Sequence, residues 1–194
     1  MNIHDALEQL KEEMEHDTAL PLYGSANLVF GEGDSHARVV FIGEAPGRRE
    51  DALRRPFVGQ SGKLLDKMFA KIGWPRESVY ITNIVKRRPP ENRDPNPQEI
   101  AAHTPYLQRQ IDIIDPAIIV TLGRFSMNYF LPEATISSAH GNAFQLESHN
   151  RLLVPLYHPA AALRSGKMMK AFTEDFQKLS EIFENTSIRK KRGR

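Results

Sequence analysis

Val39-Val40-Phe41-Ile42-Gly43-Glu44-Ala45-Pro46-Gly47 is the stretch whose reading decides the fold. Four apolar residues run into a glycine, an acid and a Pro-Gly pair. A short apolar run closed by turn residues reads as a strand of a buried parallel sheet. Ligands of open α/β sheets bind beyond the carboxyl ends of such strands, which makes Gly43 to Gly47 the first candidate site. Three more runs share this character: Val79 to Ile84 or Val85, Ala117 to Leu122, and Leu152 to Tyr157. Helical spacing fills the gaps. Leu64, Leu65, Met68, Phe69 and Ile72 share one face of a helix capped by Ser61 and ended by Gly73. Asn96-Pro97 starts another, with Ile100, Leu107, Ile111 and Ile114 buried and Pro116 beyond its end. A short helix is expected over 124–131. Strands joined by helix-bearing crossovers predict an α/β fold, a three-layer αβα sandwich around a four-stranded parallel sheet.

The flanks are simpler. Ile3, Leu7, Leu10 and Met14 recur at helical spacing over 2–16, a helix that Pro21 ends. Residues 21–36 read as a loop with a short extended piece at Leu28-Val29-Phe30. Residues 133–150 read as irregular and include His140-Gly141. A closing helix over about 168–184 turns Phe172, Phe176, Leu179 and Phe183 inward. The organisation expected is one domain over 1–185 followed by a disordered basic tail over 186–194.

The 194 residues suffice for one domain with a full core, and 40% hydrophobic with 26% charged residues fits a globular chain. No run reaches the roughly 18 apolar residues of a membrane span, and the N-terminus lacks the pattern of a signal peptide. A cytoplasmic protein without membrane partners is expected. Zero cysteines exclude disulfides and cysteine-ligated metal. Net charge is +2 but polarised: residues 1–20 carry six acids against Lys11, and residues 186–194 carry five cations and no acid. A basic end attracts polyanions without choosing among them.

Polar residues sit at three strand ends: Glu44, Asn83 and His158. Burial disfavours each unless it has a partner. The Asn83 amide offers both donor and acceptor, suited to a lactam or base edge. His158 can donate to an oxygen that gains charge in a transition state. The plainer alternatives are a strand-end cap for Asn83 and a structurally fixed ring for His158. Phe57, within Pro56-Phe57-Val58-Gly59, is either core filling or a platform on which a flat ligand stacks. The glycines at 43, 47, 59 and 62 do not match the dinucleotide or ATP-loop spacing. Lys86-Arg87-Arg88-Pro89-Pro90-Glu91-Asn92-Arg93-Asp94-Pro95 is a stiff basic loop.

Together these blocks resemble the family 4 uracil-DNA glycosylases. Gly43-Glu44-Ala45-Pro46-Gly47, Glu50-Asp51 and Arg55-Pro56-Phe57-Val58-Gly59-Gln60-Ser61-Gly62 are similar to the family's first motif. Thr82-Asn83-Ile84-Val85-Lys86 and Arg88-Pro89-Pro90-Glu91-Asn92-Arg93 resemble its second. Thr121-Leu122-Gly123-Arg124, His140-Gly141 and His158-Pro159-Ala160-Ala161 follow in order. The resemblance spans about residues 17–176 and implies that Phe57 stacks on flipped-out uracil. Asn83 would read the polar edge, and His158 would bond the pyrimidine O2. Glu44, or the backbone beside it at Ala45, would place the attacking water. Glu50 and Asp51 are secondary candidates for placing that water or shaping the loop. Leu163 would wedge into the emptied stack, and Arg164 would face a phosphate. Lys86, Arg87, Arg88 and Arg93 are expected to contact the DNA backbone.

The chain departs from the family in one respect. Family 4 enzymes hold a four-iron, four-sulfur cluster on four cysteines, whereas the matching positions here are Asp17, Leu20, Arg87 and His103. No cofactor is expected, and Asp17 with Arg87 or His103, above Leu20, is expected to tie the N-terminal segment down instead. A relative that links covalently to uracil-DNA does so through a histidine in the basic loop. None adjoins Arg88 here, so turnover is expected. The expected partner is uracil-containing DNA, single- or double-stranded, acted on by a monomer, with other base excision repair proteins or a sliding clamp as further candidates. The alternatives are a glycosylase for another deaminated base, such as xanthine or hypoxanthine, and a non-catalytic damaged-DNA-binding module. A phosphate-handling enzyme would need a phosphate loop that is absent.

Overall fold

The structure, a computed structural model, describes residues 2–146 and 151–192, the last six of these by backbone alone. In chain order the elements are α1 (Ile3–His16), β1 (Glu32–Gly33), β2 (Val39–Gly43), α2 (Arg48–Leu53), α3 (Gln60–Lys71), β3 (Tyr80–Asn83), α4 (Pro97–Ile114), β4 (Ile118–Leu122), α5 (Arg124–Phe130), α6 (Ile136–Ala139), β5 (Phe144–Leu146), β6 (Arg151–Leu156), α7 (Pro159–Arg164) and α8 (Gly166–Arg192). Among the described residues the sheet has six strands in the order β1-β3-β2-β4-β6-β5. The central four are parallel, as the apolar runs predict. Two short antiparallel edges, β1 against β3 and β5 against β6, make the sheet mixed rather than four-stranded.

The pleat sorts the core. Val39 and Phe41 face a cluster with Leu64, Leu65 and Phe69 of α3 and Phe172 and Phe176 of α8. Val40 and Ile42 face the opposite cluster, with Leu7, Leu10 and Met14 of α1 and Leu107, Ile111 and Ile114 of α4. Side chains alternate along a strand, so a continuously apolar strand is one buried on both faces. Phe41, Phe69 and Phe176 interlock at ring-centroid distances of 5.0–6.0 Å.

Caps fix the helix starts. Asn2 accepts from Asp5 N–H at the head of α1. Asn96 and Glu99 close a reciprocal capping box on α4, with Pro97 in its first turn. Ser61 does not cap: α3 begins one residue earlier, behind Gly59. The 133–146 segment, read as irregular, holds α6 and β5, while 147–150 lie outside the described residues. The closing helix runs past 184 to Arg192, so the basic segment through 192, read as disordered, continues the helix. Residues 28–30 stay outside the sheet, though Val29 N–H bonds the Lys86 carbonyl at 2.8 Å.

Candidate active site

The four central strands end at one place. Glu44 follows β2, Asn83 ends β3, Gly123 follows β4 and His158 follows β6, and all four line a single cavity of about 620 Å³. Phe57, Glu50, Ala45 and Arg164 line it too, as do Arg93, Asp94 and Arg124. The sheet thus delivers side chains from distant parts of the chain to one rim.

Asn83 is 2% exposed, and its Oδ1 has no protein partner. A side chain at Gly43 would collide with that oxygen and with the Phe57 ring, so glycine is what lets the two meet there. Phe57 is buried and holds a left-handed backbone at φ 50°, a conformation costly for an aromatic residue. Two neighbours hold it. Gly62 packs directly on its carbonyl, and the Glu50 carboxylate accepts from Val58 N–H at 2.9 Å and Gly59 N–H at 2.7 Å. Glu50 therefore shapes the loop. Asp51 instead ties α2 to the N-terminal loop, accepting from Asn27 N–H at 2.8 Å.

His158 lies 5.9 Å from Phe57, ring centroid to centroid. Its Nδ1 accepts from Ala160 N–H at 3.1 Å, which leaves the ring proton on Nε2. Burial, reinforced by the Arg164 charge, pushes the imidazole down to about 4, so the ring is neutral at physiological pH. Glu44 shifts the other way. Burial and then the Asp94 charge raise its carboxyl to about 7, against the opposing pull of Arg124. Its backbone carbonyl accepts from Val85 N–H at 3.0 Å.

Of the cations expected on DNA, Arg164 is exposed at the cavity, beside Leu163 at 49% exposure. Arg88 donates to Asn92 at 2.6 Å, and Arg93 is held by both oxygens of Glu99. Lys86 and Arg87 do not fit a phosphate contact. Lys86 is 0% exposed, with its Nζ bonded to Thr82 Oγ1 and Gln110 Oε1, and burial holds it well below the usual lysine range. Arg87 is 3% exposed, donates to the Ala26 carbonyl at 2.7 Å and lies over the Tyr23 ring. Sequence reading missed Asp94, Arg124 and Tyr157 as cavity residues, although Gly123-Arg124 and Tyr157 each follow a strand end, which was the available signal.

The positions that match cluster ligands do not fit an iron-sulfur group. Leu20 is buried among apolar side chains, Arg87 presents a cation, and the His103 Nδ1 is bonded to the Glu99 carbonyl at 2.8 Å. Asp17 makes neither expected contact. It accepts from the Tyr106 hydroxyl at 2.7 Å, while Arg87 reaches Glu15 at 3.9 Å. The N-terminal segment is thus tied to α4 and to the loop after β3 by protein groups alone.

The ends of four strands thus bring a buried, unpartnered amide oxygen, a neutral imidazole and a buried aromatic ring to one cavity. The profile of the uracil DNA glycosylase superfamily matches residues 30–180. The type-4 uracil-DNA glycosylase of Sulfurisphaera tokodaii is 46% identical over 187 residues, covering 92% of this chain and 85% of that protein. Those of Archaeoglobus fulgidus and Thermotoga maritima are 44% and 39% identical, covering 80% and 90% of this chain and 82% and 93% of theirs. The chain belongs to the type-4 uracil-DNA glycosylases of this superfamily, as a member without cysteine.

Proposed function

We propose that this chain is a uracil-DNA glycosylase: it binds a deoxyuridine extruded from DNA and hydrolyses its N-glycosidic bond, leaving an abasic site for base excision repair. The observation that carries the reading is the Asn83 carbonyl oxygen, buried and unpartnered between Gly43 and Phe57. A buried acceptor without a donor is costly, and uracil N3–H supplies that donor. The amide nitrogen donates to O4, and the Phe57 ring stacks on the pyrimidine.

Bond cleavage moves the C1′–N1 electron pair onto the base. His158 donates its Nε2 proton in a hydrogen bond to O2 as negative charge gathers there. A neutral ring does this without giving the proton up, which suits a group held near 4. Glu44 accepts a proton from the water that attacks C1′, and its position near 7 suits a base at neutral pH. Extrusion costs a few kcal/mol, and Leu163 offsets part of it by filling the emptied stack. Arg164 faces a phosphate, so binding weakens with salt. We read the reaction as turnover rather than covalent trapping, because buried Pro89, and no histidine, follows Arg88. We read the protein as a cytoplasmic monomer on single- or double-stranded DNA. Light scattering at one chain's mass checks the oligomeric state, and a stable dimer contradicts it.

The test is an oligonucleotide panel carrying uracil, hypoxanthine, xanthine or thymine, treated in chelator and then cleaved with alkali. Release from uracil strands supports the reading. Cleavage confined to another base, or tight uracil-DNA binding without cleavage, overturns it in favour of a different glycosylase or a binding module.

A further inference from the structure

We propose that Asp94 and Arg124, paired across the mouth of the cavity, are positioning residues that set the protonation of Glu44. The proposal rests on Glu44 being the base of the glycosylase reaction.

The geometry comes first. Arg124 Nη2 and Asp94 Oδ2 meet at 2.7 Å, and both residues line the cavity with Glu44. They join its two banks. Asp94 belongs to the loop after β3, where its neighbour Arg93 is fixed on Glu99 and also donates to the Asp94 carbonyl at 3.0 Å. Arg124 opens α5 directly after Gly123, whose N–H bonds Leu156 at 2.9 Å and whose φ of 90° suits glycine. A side chain at Gly123 would press on His158 at 3.0 Å, so this turn sits tightly against the catalytic ring. Both backbones are anchored, while the paired side chains are 65% and 64% exposed. An exposed pair of this kind adds little to stability, so the place it occupies is what calls for explanation.

Its place gives each partner an opposite effect on Glu44. The Asp94 charge disfavours the carboxylate and the Arg124 charge favours it. The other charged groups around the cavity stay as they are when this pair is changed. Glu50 on α2 is bonded to Val58 and Gly59, Arg93 is paired with Glu99, His158 is neutral and Arg164 stands on α7. Removing one partner therefore leaves the other acting alone, and the two removals shift Glu44 in opposite directions. General structural damage at the rim produces no such opposed pair.

The experiment measures single-turnover release of uracil from a single-stranded oligonucleotide at saturating full-length protein, from pH 5 to 9, in chelator. Wild type is expected to lose rate below an acidic midpoint near 7. Asp94→Asn is expected to lower that midpoint by about half a pH unit, raising the rate at pH 6 relative to its own plateau about two- to threefold. Arg124→Gln is expected to raise the midpoint by a similar amount, with a matching relative loss at pH 6. Glu44→Gln is expected to abolish the limb. Unmoved midpoints, shifts of the same sign, or a limb that survives Glu44→Gln overturn the proposal while leaving the glycosylase reading intact. A wild type that releases no uracil at any pH overturns both.

Discussion

Asn83 and Lys86 lie three residues apart at the end of β3, and both are buried polar groups. Asn83 faces the cavity with an oxygen that has no partner. Lys86 points the other way, into a closed network. Its Nζ meets Thr82 and Gln110, Thr82 donates to the Phe30 carbonyl at 2.7 Å, and Gln110 donates to Phe30 at 3.1 Å and to the Tyr80 hydroxyl at 2.9 Å. A buried polar group with all its partners inside the protein belongs to the architecture. One that lacks a partner and also lines a cavity is placed to meet a ligand.

The contrast predicts that changes on the cavity side cost rate, and that changes on the sealed side cost stability. His158→Ala is expected to slow uracil release by about 10²–10⁴-fold, with little change in Tm, read by single-turnover kinetics beside a thermal melt. Lys86→Ala is expected to lose about 2–4 kcal/mol of unfolding free energy, because Thr82 and Gln110 keep buried groups without their partner. Its rate at saturating enzyme should stay within a few-fold of wild type; a hundredfold loss would erase the distinction. The sealed lysine also leaves a pH signature. Its folded pKa lies below the ordinary 10.5, so below that value the unfolded state binds the extra proton and stability rises with pH. In the window just below 10.5 the slope is positive and at most about 1.4 kcal/mol per unit, and Lys86→Met should remove it in urea titrations. Above that window the buried Tyr80 hydroxyl, raised by burial, opposes the trend. The smallest effect separates the cations. Arg164→Gln should reduce the salt dependence of binding by about 0.7 in log–log slope on a single strand, whereas Arg87→Gln should leave the slope unchanged and lower Tm.

Much of this was readable from residue order. The runs at 39–42, 79–84, 117–122 and 152–157 are largely apolar because both faces of a central parallel strand are covered, so they announced the middle of the sheet. β1 and β5 did not announce themselves. Glu32–Gly33 and Phe144–Leu146 are too short to carry a pattern and become strands by lying beside a formed neighbour. The cavity residues Glu44, Asn83 and His158 stood out because polar residues interrupt apolar runs at matched strand ends. The inward turn of Lys86 and Arg87 was hidden, since three consecutive cations before two prolines read as a solvated loop. What buries Lys86 is Gln110, on a helix that begins eleven residues further along, and what holds Arg87 is Ala26 and Tyr23 in the N-terminal loop. The Asp94–Arg124 pair was hidden for the same reason, being thirty residues apart in the chain.

The measurement that tests the account most directly is single-turnover uracil release by Asn83→Ala, with the Tm of the same preparation. The account predicts a loss of about 10²–10³-fold in rate with Tm unchanged or raised, because the removed oxygen had no partner in the folded protein. A variant that releases uracil at the wild-type rate, or one that loses activity only by losing several degrees of Tm, would contradict it.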